Sequence, residues 1–142
     1  AQKLIPMALI AGFEVQLIDP RSAFASRKRF PETEIINEWP QDVMASLRLD
    51  SRTAVVTLSH DPKIDEPALQ AALESRVFYI GALGSQKNHA KRIQRLAALG
   101  FDQKTLARIA GPIGLPLGGR SPAEIAVAIL AQIIQAVYQQ KR

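Results

Sequence analysis

Apolar positions along the chain fall into short runs, each closed by a polar, glycine or proline punctuation mark. Leu4 to Ala11 reads as a helix that starts at or before Ala1, with Gly12 where a C-cap glycine belongs. Phe13 to Ile18 is mostly apolar and stops at Asp19-Pro20, which predicts a strand buried on both faces. Ser22 to Phe30 is polar and basic and predicts a loop; Glu34 to Ile36 predicts a short strand, and Gln41 to Leu47 a helix. Asp50 to Arg52 is a turn, and Ala54 to Leu58 is a β-branched strand ending at Ser59-His60-Asp61. Asp65 is expected to cap a helix from about Glu66 to Glu74. Val77 to Ile80 predicts another strand, broken by Gly81. Gln86 to Leu99 is a basic amphipathic helix closed by Gly100, and Thr105 to Ile109 fits either element. A glycine- and proline-rich loop follows from Gly111 to Gly119. Ser121-Pro122-Ala123-Glu124 then starts a helix: Ser121 caps, Pro122 suits the first helical position and Glu124 completes a capping box. From Glu124 to Tyr138 that helix is apolar nearly all round, the pattern of a helix buried in a core or a subunit interface.

Helices alternating with apolar strands imply parallel crossovers, hence an α/β fold: a three-layer, doubly wound, Rossmann-like, mostly parallel sheet. At 142 residues the chain is expected to be a single domain. Such a sheet normally opens with a central strand and a glycine-rich phosphate turn. Here the chain opens inside a helix, so the expectation is a fragment in which that first strand and turn are missing. The apolar run after Lys3 superficially resembles a signal-peptide core. It is short, contains Pro6, meets Glu14 without a small-residue cleavage site, and is too short to span a bilayer.

Composition narrows the function classes. With no cysteine there is no disulfide, thiolate metal site, catalytic thiol or persulfide relay within the chain, which fits a cytoplasmic protein. A net charge of +5 favours anionic partners. Scattered basic residues and 6% aromatics speak against base-stacking nucleic-acid recognition. No His, Asp and Glu cluster has metal-ligand spacing, so no directly bound metal is expected.

Candidate chemistry sits at predicted strand ends. Asp19 is placed to accept from the ribose hydroxyls of an adenosine, or is simply a turn aspartate; Arg21 is placed to pair with a 2′-phosphate, or is a solvated loop arginine. His60, beside Asp61, either faces a ligand as donor or proton carrier or orients its own loop. Gly81, Gly84 and Ser85 lie between a strand and a helix whose free amides favour an anion, with Lys87 and Arg92 adding charge; a plain tight turn is the alternative. Arg120, before the last helix, is a second phosphate clamp or part of a structural loop.

Several motifs occur in a specific order. They are Asp19-Pro20-Arg21, Arg29-Phe30-Pro31, Ser59-His60-Asp61-Pro62-Lys63, Tyr79-Ile80-Gly81-Ala82-Leu83-Gly84-Ser85, Gly111-Pro112-Ile113-Gly114-Leu115 and Gly119-Arg120-Ser121-Pro122-Ala123-Glu124-Ile125-Ala126. Together, from Ala1 to about Ile134, they resemble the C-terminal Rossmann domain of the XdhC/CoxI family, the xanthine dehydrogenase accessory factors. The resemblance implies a chaperone that binds the molybdenum cofactor, a pterin bearing a phosphate. It would protect the cofactor during sulfuration by a separate cysteine desulfurase and help load it into an apo-form molybdenum hydroxylase. It also implies a ligand pocket of Asp19, Arg21, His60, Asp61, Gly81, Gly84, Ser85 and Arg120. Where the family usually has threonine and glutamate, this chain has Ser121 and Ala123. An NAD(P)-dependent oxidoreductase and a dinucleotide-sensing domain are the competing readings. A homodimer through the last helix is a further expectation, motivated by its apolar faces.

Overall fold

The computed structural model describes residues 1–140. Helix α1 (Leu4–Ile10) leads to strand β1 (Gln16–Ile18), then β2 (Glu34–Ile36), α2 (Pro40–Val43) with a 3-10 turn at Met44–Ser46, and β3 (Ala54–Thr57). Then come α3 (Pro62–Leu73), β4 (Tyr79–Ala82), α4 (Gln86–Ala98), α5 (Gln103–Leu106), β5 (Ile109–Ala110) and α6 (Pro122–Gln140). Every strand pairing among the described residues is parallel, as helical crossovers require.

The five strands form two separate ladders. One pairs β1 with β2 in the register Gln16 to Glu34; the other runs β3-β4-β5, with Ala54 opposite Tyr79 and Ile80 opposite Ile109. Among the described residues the two ladders are not hydrogen-bonded into one continuous sheet.

Strand β4 sorts its side chains by the period-two rule. Ile80 and Ala82 enter a core with Leu69, Ala72 and Leu73 of α3, Leu96 of α4 and Leu106 of α5. Tyr79 faces the opposite layer, with Leu4 of α1, Ile113, and Ala126, Ile129 and Ile133 of α6. Leu69, Ile80, Leu96 and Ile129 are fully buried, each contributing roughly 1.5–3 kcal/mol of transfer free energy. The helices therefore cover both faces of the β3-β4-β5 ladder, the three-layer arrangement the alternation predicts.

Local differences from the sequence reading have physical causes. Strand β1 holds three residues rather than six and is half-buried. The cap of α3 is Asp61, not Asp65: Asp61 has extended backbone and its carboxylate accepts from Lys63 N at 3.0 Å, while Pro62 takes the first helical position. Gly81 does not break β4 but lies within it, paired with Val56 and Ala110. The segment that fitted either element splits into α5 and β5. The capping box at α6 forms as expected, Glu124 N donating to Ser121 Oγ at 3.1 Å and Ser121 N to Glu124 Oε1 at 3.2 Å.

Candidate functional site

Parallel strands deliver their following loops to one edge, and there the ends of β3 and β4 diverge into α3 and α4. Between those helices lies a cleft of about 210 Å³, lined by His60, Asp65, Glu66, Leu83, Gly84, Asn88, Lys91, Arg92 and Arg95, with Pro62.

On the β3 side, His60 adopts a left-handed backbone, φ 65°, which a residue with a Cβ adopts only when its surroundings impose it. Ser59 imposes it here. Its hydroxyl donates to Asp65 Oδ1 at 2.6 Å and accepts from Asp61 N at 3.1 Å, folding the chain around His60. The imidazole is thereby turned to the cleft and left exposed. Asp65 is buried, and desolvation pushes its carboxyl above the usual range despite the bonds from Ser59 and the charge of Arg92.

On the β4 side, Gly84 has φ +143° and carries the chain past the cleft with bare backbone. Ser85 caps α4, its Oγ accepting from Asn88 N at 3.1 Å. Arg92 is buried beneath this turn at 7% exposure. Its Nη2 donates to Leu83 O and its Nη1 contacts His89 Nδ1, both at 3.0 Å. Burial first, and the Arg92 charge second, hold the His89 imidazole below its usual pKa. Arginine carries only donors, so in this contact His89 Nδ1 accepts and the ring proton sits on Nε2. Across the mouth, Arg95 binds Glu66 through Nε and Nη2 at 2.9–3.0 Å, tying α4 to α3.

At the carboxyl end of β1, Asp19 is 8% exposed and accepts from Arg21 three times: Oδ1 from the backbone N at 2.9 Å and Nε at 3.0 Å, Oδ2 from Nη2 at 2.8 Å. Burial opposes ionisation of Asp19, but the bonds and charge of Arg21 outweigh it and hold the carboxyl below the usual range. Asn37 pins this loop, donating to Asp19 O and Ala25 O at 3.0 Å each.

Of the eight residues singled out from sequence, His60 and Gly84 line the cleft, while Asp61 and Ser85 cap the two helices that form its walls. Asp19 and Arg21 sit at the neighbouring strand end, locked to each other. Gly81 is buried inside β4 under Ile113 and does not line the cleft; Arg120 is exposed beside the α6 cap and does not line it either. Sequence reasoning misses Asp65, Lys91 and Arg95 as cleft residues, the Ser59–Asp65 bond behind His60, and the buried position of Arg92. Arg92 reads in sequence as one more charge on a basic helix, and only its fit beneath Leu83 marks it out.

A parallel-stranded domain with helices on both faces and a cleft at the carboxyl edge belongs to the Rossmann-type α/β class. The particular family is clear from comparison: the XdhC Rossmann domain matches residues 1–133, and the chain belongs to that family. It is 39% identical over 89 residues to the molybdenum cofactor insertion chaperone PaoD of Escherichia coli, covering 63% of this chain and 28% of PaoD. It is 30% identical over 135 residues to a probable xanthine dehydrogenase subunit of Bacillus subtilis, covering 92% of this chain and 39% of that protein. A crystal structure described as a xanthine dehydrogenase from Bacillus halodurans superposes with a TM-score of 0.83 at 29% identity, over 99% of this chain and 40% of that one. The chain thus spans well under half the length of each of these relatives.

Proposed function

We propose that this chain is the ligand-holding part of a maturation factor for molybdenum hydroxylases, one that binds the pterin molybdenum cofactor and passes it to the apo-enzyme. The observation that supports it best is the cleft where His60, Lys91 and the bare backbone of Gly84 converge over the buried Arg92. The Lys91 ammonium and the bare backbone of Gly84 suit an anionic, hydrogen-bonding heterocycle, with Glu66 paired to Arg95 and Asp65 bonded to Ser59. The family membership and the name of PaoD point the same way.

The cleft residues fit such a group in chemistry. In size, about 210 Å³ is below the ~300–1,000 Å³ of typical small-molecule sites, so the cleft takes one portion of the cofactor and the rest extends along the strand ends. The bound cofactor supplies molybdenum chemistry to the client enzyme. This chain's residues hold it: His60 and Lys91 bind, Gly84 permits close approach, and Arg92 keeps the Leu83–Ser85 turn in shape. On this reading the protein is a carrier rather than a catalyst. A cysteine desulfurase supplies the sulfur, a division of labour that a chain without cysteine fits. The setting is the cytoplasm, and the exposed apolar residues Val127 and Ile134 on α6 pair two copies. An NAD(H) site is less well supported, because both oxygens of Asp19 already accept from Arg21.

Anaerobic titration with molybdenum cofactor, NADH and NADPH tests this reading. The expected outcome is cofactor binding that weakens by about tenfold in Lys91→Ala and His60→Ala with unchanged melting temperatures. Dinucleotide binding without cofactor binding would refute it.

A further inference from the structure

The Asp19–Arg21 pair has a geometry that a solvated surface ion pair lacks. Asp19 is buried and uses both oxygens, so the guanidinium is fixed through its Nε and Nη2 edge. One face of the guanidinium lies over the Phe24 ring, 4.4 Å from its centroid. Asn37 holds the loop that carries both residues. What is left is the Nη1 edge, which donates to nothing among the described residues, on a side chain still 35% exposed. A guanidinium fixed on one edge and one face is preorganised to donate from its other edge, and two parallel N–H bonds to a phosphate are the arrangement that edge suits.

We infer that Arg21 is a specificity-determining residue that grips a phosphate monoester, with Asp19 and Phe24 as the positioning residues that aim it. The assignment rests on the proposed cofactor-holding function and extends it to the ligand's phosphate. It also reverses the usual role of an acidic residue at this strand end. The carboxylate does not receive ribose hydroxyls but spends its charge on holding an arginine. The guanidinium lies within range of the carboxylates of Asp61 and Asp65, which places it beside the cleft; those charges oppose an anion, so the grip rests on the directed N–H bonds of its outer edge and not on net charge. The cleft itself holds only part of a pterin cofactor, which leaves the phosphate-bearing remainder to lie outside it.

Two binding arms and one spectroscopic arm test the inference. The first compares the oxidised pterin of the cofactor with the same pterin after phosphatase treatment; the second compares 2′,5′-ADP with 5′-AMP. The third follows the Arg21 Nε–H resonance during titration with inorganic phosphate. We expect the phosphorylated member to bind more tightly by about ten- to a hundredfold, and Arg21→Gln to abolish that preference while leaving the dephosphorylated member's affinity unchanged. Phe24→Leu should weaken the preference in the same direction but less. Preference in the pterin arm alone assigns the phosphate to the cofactor; preference in the nucleotide arm alone keeps Arg21's role but overturns the cofactor-holding function. Equal loss of both members in Arg21→Gln, or no preference in either arm with an unmoved Nε–H resonance, overturns the inference.

Discussion

Gly81→Ala separates a structural glycine from a ligand-contacting one. A methyl group at Gly81 would fall 2.6 Å from Ile113 Cγ1 and 2.8 Å from Tyr79 Cε2, and nearer still to Ile113 Cδ1. Real Cβ atoms are not found that close, so both neighbours must shift. Neither shifts freely. Ile113 and Tyr79 are packed in the core beneath α6, and the Tyr79 hydroxyl donates to Gln132, whose Oε1 also accepts from Gly114 N at 2.9 Å. Overpacking of this kind costs roughly 1–3 kcal/mol. For a chain of this length that lowers the unfolding midpoint by roughly 3–10 °C. Circular dichroism melts provide the measurement. The double variant Gly81→Ala/Ile113→Val provides the control: it removes the closest atom, so it should recover part of the loss. Ile113→Val alone should cost about 0.5–1.5 kcal/mol. A Gly81→Ala protein with an unchanged midpoint and lost ligand binding would refute the packing argument and restore Gly81 to the binding site.

Other substitutions probe the cleft walls. Asp61→Ala should cost about 1 kcal/mol through loss of the α3 cap, read as a lower denaturant midpoint with an unchanged slope. Arg92→Met should lower the melting temperature and also weaken cofactor binding, because it frees Leu83 O and the Gly84 turn together; binding at wild-type strength would count against a positioning role. His89 gives a pH signature. Its folded pKa lies below 6.5, so the native state resists protonation and stability falls as pH drops from 6.5 through the folded value. His89→Asn, which keeps an acceptor for Arg92 without the titration, should lack that step in melts across the range.

Most elements are legible in the sequence, because the signals that specify them are local. Strand β2 and the α6 capping box appear where turn residues and periodicity put them. The sequence reading starts α3 four residues late although its signal is local too: Pro62 at the first helical position points to Asp61 as the cap. Gly81 is different. What makes it a packing glycine is Ile113, a residue 32 positions away that only the fold brings over β4. The same holds for Arg92, whose burial depends on the carbonyl of Leu83 lying above it, and for Asp65, expected as a cap and found as the partner of Ser59. The candidate site is legible as a set of strand ends, while the division of labour among its residues is not.

The separation of the β1-β2 ladder from the β3-β4-β5 ladder has a consequence for local unfolding. Leu17, Ile18, Ile35 and Ile36 belong to neither core cluster, whereas β3, β4 and β5 are shared between both. Amide protons in Gln16–Ile18 and Glu34–Ile36 should therefore exchange with solvent through a low-energy opening that leaves the Tyr79–Ala82 amides protected. Arg21 is carried by the less protected half and the cleft by the more protected one. A ligand held by both would draw the two into one cooperative unit, so part of its binding energy would go into slowing exchange at β1 and β2 rather than into affinity.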